Sequence, residues 1–460
     1  MKYRAEKDSM GIVQVPDDKL WGAQTQRAVE NFGTSEYRIP EKMLKSIGLI
    51  KAAAASVNAD LGLIPRETGK QIEKAGLEIH TGNYSEHFPT DVFQTGSGTS
   101  WNMNANEVIA NIVNKRMGHA EGENPTVHPN DTVNRCQSSN DVIPSAVNIA
   151  CRSALSSLHA ALLSLEQAFE KKEGQFHTVL KLGRTHLQDA VPMRLGHEFG
   201  SYKTQIAYAA EILKNSGKYL EELPLGGTAI GTGLNAHPDF SARAVQYIAE
   251  KTGIPFTQLQ NKFEGIAARD AQLHFMDALN SIAVKLMKIC QDLRLLSSGP
   301  RAGLGEITLP SLQPGSSIMP GKVNPVIPEM VIQAAAHIMG KHTSVTIACQ
   351  NSPLELNIMQ PLLAHETLSA AALLERVIRK LDVKCVQGIE ANRTICLQWI
   401  EKSLALATPL ALTIGYDKAA EIAYTAFKTG KTIRDVAAES GILPEKELDQ
   451  ALDPEKLAGD

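Results

Sequence analysis

The chain has little of what metal, redox and nucleic-acid chemistry require. Six cysteines (Cys136, Cys151, Cys290, Cys349, Cys385 and Cys396) are spread over 460 residues, and no two form a C-x-x-C pair. That excludes zinc and iron–sulfur frameworks and a disulfide scaffold, and the thiols are expected reduced and buried. Thirteen histidines include no H-E-x-x-H, and His337 and His342, five apart, fall on different helix faces. No metal and no cofactor is therefore expected. Aromatic residues make up 5% of the chain, too few and too dispersed for a base-stacking platform. Charge is nearly balanced, 46 Lys and Arg against 50 Asp and Glu, so neither nucleic acid nor a membrane surface is an expected partner. No apolar run approaches the ~18 residues of a membrane span. The start, Met1-Lys2-Tyr3-Arg4-Ala5-Glu6-Lys7-Asp8, lacks the apolar region of a signal peptide, and the reading is cytoplasmic.

What is present is helical periodicity. Over 144–173, Cys151, Leu155, Leu158, Leu162, Leu165 and Phe169 advance by steps of four and three, and over 269–297 Met276, Leu279, Ala283, Leu286, Cys290 and Leu293 repeat the rhythm. Each helix would be about 45 Å long, too long for a small domain, so a long-helix bundle completed by other subunits is expected. Further helices are expected at 41–60, 67–80, 105–117, 196–220, 328–340 and 366–380. Strand-like alternation is scarce and confined to short pieces near the N-terminus. The fold class is mainly α in three parts: 1–137, mixed but mostly helical; 138–357, the long-helix bundle; and 358–460, a small helical domain.

The most informative segment is Gly315-Ser316-Ser317-Ile318-Met319-Pro320-Gly321-Lys322-Val323-Asn324-Pro325. Glycines and prolines keep it out of helix or strand, while two serines, free backbone N–H groups, one cation and one amide make it suited to hold an oxyanion. Three other segments share its donor-rich chemistry. Gln94-Thr95-Gly96-Ser97-Gly98-Thr99-Ser100 leads to Asn102, Asn104 and Asn106; Gln137-Ser138-Ser139-Asn140-Asp141 opens the first long helix; Gly183-Arg184-Thr185-His186-Leu187-Gln188-Asp189 lies between two helices. Singly, each reads as a cap or turn. Together, in a chain without metal or nucleotide motifs, they point to one composite pocket for a small anion. Gly231-Thr232-Gly233-Leu234-Asn235-Ala236 fits a dinucleotide pattern but has no preceding apolar strand, and reads as a loop. Lys428-Thr429-Gly430 reads as a helix end capped by glycine.

These segments resemble those of the fumarase/aspartase superfamily, from Leu20-Trp21-Gly22-Ala23-Gln24-Thr25-Gln26-Arg27 to Ile414-Gly415-Tyr416-Asp417-Lys418. Within it the pattern is most similar to the class II fumarases: His186 stands where aspartases place glutamine, and H-P-N-D (128–131), S-S-N-D (138–141) and Gly321 follow the fumarase pattern. Val191-Pro192-Met193 and Val326-Ile327-Pro328-Glu329 lean towards aspartase, but the polar contacts carry more weight. The resemblance implies reversible hydration of fumarate to (S)-malate through an aci-carboxylate intermediate, in a homotetramer whose central helices form a shared core and whose sites draw on several subunits. The alternatives are aspartate ammonia-lyase and a non-enzymatic structural relative.

The same resemblance implies roles. Ser316 removes the proton, which requires its alkoxide to be stabilised by loop N–H groups and Lys322, because an ordinary serine is too weak a base. His186 is the acid/base partner, oriented by Glu329. Ser97, Gly98, Thr99, Asn102, Asn104, Ser138, Ser139, Asn140, Thr185, Ser317, Lys322, Val323 and Asn324 bind the carboxylates. His128, Pro129, Asn130 and Asp131 correspond to a second dicarboxylate site, although the upstream residues Glu123-Asn124-Pro125-Thr126-Val127 supply no basic residue where the family often has one.

Overall fold

The structure is a computed structural model that describes residues 2–119, 122 and 126–459. The N-terminal hairpin β1 (Tyr3–Asp8) and β2 (Gly11–Pro16) leads into α1 (Ala23–Phe32), α2 (Glu41–Asp60), α3 (Arg66–His80) and α4 (Thr99–Arg116). Then come α5 (Ser139–Gln175), the hairpin β3 (Leu180–Thr185) and β4 (Gln188–Arg194), α6 (Leu195–Leu220), α7 (Phe240–Thr252), α8 (Lys262–Ala267) and α9 (Asp270–Leu296). The chain closes with α10 (Val326–Gln350), α11 (Gln360–Lys384), α12 (Arg393–Lys402), α13 (Ala407–Ile414), α14 (Tyr416–Thr429), α15 (Ile433–Ser440) and two short helices. Two compact units emerge, one of Met1–His159, Glu211–Ser281 and His337–Glu375, the other of Ala160–Ala210, Ile282–Ala336 and Arg376–Asp460.

In the first unit α2 lies against α3 with almost no space between backbones. A Cβ on Gly48 would sit 2.7 Å from the Gly76 carbonyl oxygen, and one on Gly76 2.8 Å from that of Gly48. Ala52, Ala55 and Ala59 continue this small-residue face towards Gly76 and Gly69, all buried. Small side chains win here because close approach multiplies dispersion contacts that larger ones would block.

In the second unit the inner face of the β3–β4 hairpin, Leu180 and Leu182, is buried with Ile400, Leu406, Leu410, Ile422, Ile433, Val436, Leu448 and Leu452 of the C-terminal helices. The hairpin is thereby held on a hydrophobic platform, with its tip left in solvent.

Four differences from the sequence reading stand out. The expected helix 105–117 begins at Thr99, because Gly98 takes up φ 74° and the asparagine-rich stretch after it is buried and hydrogen-bonded. The helix expected to stop at Gly340 continues to Gln350. A mid-helix glycine costs only about 1 kcal/mol, which the burial of Val345 and Ala348 offsets. The segment 183–189 lies between α5 and α6 as expected but forms a hairpin there, so strands are not confined to the N-terminus. Finally, α5 is long and apolar enough to cross a membrane by length and composition (mean hydropathy 1.2), but 61% of that window is buried inside the protein.

The glycine-rich segment at 231 is a loop, and Lys428-Thr429-Gly430 is the end of α14, with Gly430 at φ 71°. All six cysteines are free, and five are buried.

Candidate active site

In the first unit two helix N-termini meet. Gly96 has no room for a side chain, since a Cβ would fall 1.9 Å from the Ile358 carbonyl oxygen, and a Cβ on Gly98 would lie 2.9 Å from Ile143 Cγ2 in the opening turns of α5. This packing sets Ser97 and Thr99, whose hydroxyls are 2.8 Å apart, at the start of α4. The first turn of α4 contains no acidic residue, so its unpaired N–H groups and dipole remain available to an anion. Asn102 donates from Nδ2 to Ser139 Oγ at 3.0 Å, which joins the start of α4 to the start of α5. Asn140 is held at the mouth of α5 by its Nδ2 donating to the Ala229 carbonyl (2.8 Å), and its N–H donates to Ser138 Oγ (3.2 Å). Asn104 is enclosed and donates to the His87 carbonyl at 2.9 Å.

Beneath this turn sits Asp141, fully buried. It accepts from the N–H groups of Ser138 (2.9 Å), Gly226 (2.8 Å) and Thr228 (2.9 Å). Burial pushes its carboxyl up to about 6, although these donors pull the other way. The aspartate thus pins the Ser138–Asn140 turn to the 226–229 loop rather than offering itself to solvent.

In the second unit the residues 315–324 close into a ring. The Gly315 N–H donates to the Lys322 carbonyl (2.7 Å), and Asn324 Nδ2 donates to the Gly315 carbonyl (2.8 Å). Gly315 is required there, as a Cβ would lie 2.7 Å from Asn324 N. Inside the ring, Ser316 Oγ accepts from the N–H groups of Ile318 (3.2 Å) and Met319 (3.0 Å). Two donors on a hydroxyl oxygen favour negative charge on that oxygen. Ser317, Lys322 and Val323 are exposed at the rim, and among the described residues Lys322 has no carboxylate partner. Glu329 lies in the first turn of α10.

His186 and Leu187 form the two-residue tip between β3 and β4, where Thr185 pairs with Gln188. Both take positive φ, 55° and 61°, as the hairpin's right-handed twist requires. Neither is glycine, so the tip carries backbone strain and holds the imidazole out in solvent. The hairpin base is fixed by charges that the sequence reading did not single out. Glu306, 0% exposed, pairs with Arg184 Nη1 at 2.7 Å and Lys181 Nζ at 3.2 Å, and Lys181 also meets Glu198 at 2.8 Å. Burial opposes the Lys181 charge, but the two carboxylates hold its pKa above the ordinary value. Within the described residues no hydrogen bond joins His186 to Glu329.

His128 caps the short turn Pro129–Val133, its Nδ1 accepting from the Asn130 and Asp131 N–H groups at 3.3 Å. His128, Pro129 and Asn130 line a cavity of about 820 Å³ together with Thr99, Arg27 and Gln24. Of the upstream segment, Glu123, Asn124 and Pro125 lie outside the described residues.

A helical chain with donor-rich helix starts and a serine held by N–H groups is equipped to bind small anions and move a proton beside a carboxylate. The lyase family model matches residues 11–340, and the fumarase C C-terminal model matches 406–459. The class II fumarate hydratase of Xylella fastidiosa is 48% identical over 99% of this chain and 95% of its own length. That of Thermus thermophilus is 46% identical over 100% of this chain and 99% of its own. Among solved structures, the recombinant class II fumarase of Schistosoma mansoni superposes with a TM-score of 0.96 at 36% identity, covering 100% of this chain and 99% of that one. The fumarate lyase:delta crystallin of Brucella melitensis, in a structure bound to cobalt, has a TM-score of 0.96 at 44% identity, with 100% of both chains covered. The fold is that of a lyase. The chain belongs to the lyase family and, within it, to the class II fumarate hydratases.

Proposed function

We infer that the chain is a hydro-lyase that interconverts fumarate and (S)-malate. The observation that carries the chemistry is the Ser316 hydroxyl, which accepts two backbone N–H bonds in a loop whose cation, Lys322, has no carboxylate partner among the described residues. In the dehydration direction Ser316 takes the C3 proton, and its alkoxide form is stabilised by these N–H groups and by Lys322. The electron pair moves into the adjacent carboxylate, giving an aci-carboxylate held by neutral donors: Ser97, Thr99, Asn102, Ser138, Ser139, Asn140, Thr185, Ser317 and Asn324. His186, oriented by Glu329, protonates the departing hydroxide. Many neutral donors suit a site that must tell a dianion from a more highly charged intermediate.

The site is completed by several subunits of a homotetramer. His186 and Glu329 do not hydrogen-bond to one another within the described residues, which leaves both available to a neighbouring chain. Leu163 (41%), Tyr208 (59%), Val284 (50%) and Leu295 (40%) expose apolar surface along α5, α6 and α9, which supports burial of these helices against other copies. His128 to Asp131 form a second, weaker dicarboxylate site, and the enzyme works in the cytoplasm.

The test is fumarate turnover in D2O followed by NMR. The expected product is (S)-malate with one deuterium at C3, placed anti to the new hydroxyl. Racemic malate, or deuterium on both faces, contradicts the assigned pair of acid and base.

A further inference from the structure

Lys51 lies in the middle of α2 with 0% exposure, and its ammonium reaches the underside of the Gln137–Asn140 turn. Nζ donates to Asn134 Oδ1 at 3.1 Å and to Gln137 Oε1 at 2.8 Å. Both acceptors are neutral amides. Asn134 Oδ1 is shared: it also accepts from Asn102 Nδ2 at 3.2 Å and Asn106 Nδ2 at 3.3 Å. Asn102 in turn donates to Ser139 Oγ. Asn134 Nδ2 donates to the Gln137 carbonyl (3.2 Å), and Gln137 Nε2 to the Val133 carbonyl (3.0 Å), so the turn folds around its two amides with the ammonium beneath.

A buried ammonium is expensive to keep. Burial pushes this one down to about 7, and the carboxylate of Asp141 alone pulls it back up. Asp141 spends its oxygens on Ser138, Gly226 and Thr228 N–H groups and makes no hydrogen bond to Lys51. If the lysine served packing alone, methionine would fill the same space at lower cost. What the charge adds is polarisation of Asn134 and Gln137, and a positive field directed at the helix-start donors.

We propose that Lys51 is a positioning residue for the dicarboxylate pocket, ordering Asn102 and the Ser138–Asn140 turn from behind and lending the pocket the positive charge of its protonated form without touching the substrate. This rests on the reading of Ser138, Ser139 and Asn140 as substrate-binding residues.

The test uses the full-length assembled protein as Lys51→Met and Lys51→Gln, each compared with the parent by circular dichroism and gel filtration. KM and kcat for L-malate are measured alongside the calorimetric Kd of succinate, a dicarboxylate that lacks the leaving group. KM and the succinate Kd should rise together by about tenfold, equivalent to about 1.4 kcal/mol, with kcat changed by no more than about threefold. Lys51→Arg, which keeps the charge, should recover part of the loss. A lysine that only stabilises the fold would lower the melting temperature and leave the succinate Kd of the folded protein within about twofold of the parent, which overturns the proposal. Lys51→Gln keeps a donor for the two amides and supplies the same comparison if Lys51→Met does not fold. Succinate binding is read without turnover, so a parent that binds succinate but does not convert malate would refute the proposed reaction and leave the Lys51 comparison standing.

Discussion

Replacing Glu306 with alanine removes the shared partner of one buried cation, Lys181, and one partly buried cation, Arg184. The Glu306 side chain is 0% exposed, Arg184 Nη1 lies 2.7 Å from one carboxylate oxygen and Lys181 Nζ 3.2 Å from the other. Lys181 retains Glu198 at 2.8 Å, so one cation stays neutralised while Arg184 keeps only a 3.3 Å bond to the Leu182 carbonyl. Breaking a buried pair by deleting one partner costs about 3–5 kcal/mol, because the remaining charge is left without compensation. The partial rescue by Glu198 places the expected loss near the lower end, about 3 kcal/mol. The same substitution loosens the hairpin whose tip is His186, and misplacement by about 1 Å costs roughly a hundredfold in rate. Urea denaturation and kcat/KM for L-malate read the two effects. Arg184→Met combined with Glu306→Leu removes both charges at once and should be less destabilising than Glu306→Ala. A loss under about 1 kcal/mol for Glu306→Ala, with unchanged kcat, would refute the assignment of this triad as the hairpin's anchor.

Three further outcomes are expected. Ser316→Ala should lower kcat by about a thousandfold or more in a protein that folds and elutes as the parent does, with KM changed only a few-fold, as seen by steady-state kinetics and gel filtration. Gly48→Ala forces a Cβ to 2.7 Å from the Gly76 carbonyl and should destabilise by about 1–3 kcal/mol in denaturant titrations. For Asp141, burial raises the carboxyl from 3.8 to about 6, so between those pH values the folded chain holds a proton that the unfolded chain has released. Stability contributed by this group therefore falls as pH rises from about 4 to 6, by about 3 kcal/mol in all, and then levels off. The difference in unfolding free energy between the parent and Asp141→Asn should follow that slope, and a flat difference across the window would contradict it.

Much of the helical frame is legible because its signal is strong. The seams through Leu155 and Leu162, and through Leu279 and Leu286, repeat over many turns, and these residues are buried in α5 and α9. The start of α4 is less legible. Asn102, Asn104 and Asn106 are poor helix formers by propensity, and what makes them helical is tertiary hydrogen bonding to Ser139, His87 and Asn134. The β3–β4 hairpin is hidden by its own irregularity: a register shift between Leu182 and Arg184, at Gly183, breaks the alternation that would have marked two strands.

The donor-rich loops could be singled out because glycine, serine and asparagine cluster there. The charges that support them could not be found by the same route. Lys51 reads as a surface lysine until its helical neighbours are considered. Ile47, Gly48, Ala54 and Ala55, three and four residues to either side, are all buried, and that apolar surround is the signal that places the lysine inside. For Arg184 and Glu306 no local pattern exists, because they lie 122 residues apart and meet only in the folded chain.

The most direct measurement is fumarate absorbance with the purified protein, L-malate in one cuvette and L-aspartate in another. Fumarate formed from malate alone is the predicted result. Fumarate from aspartate alone would contradict the assignment of hydroxide as the leaving group and of His186 as its acid, and silence in both would contradict catalysis altogether.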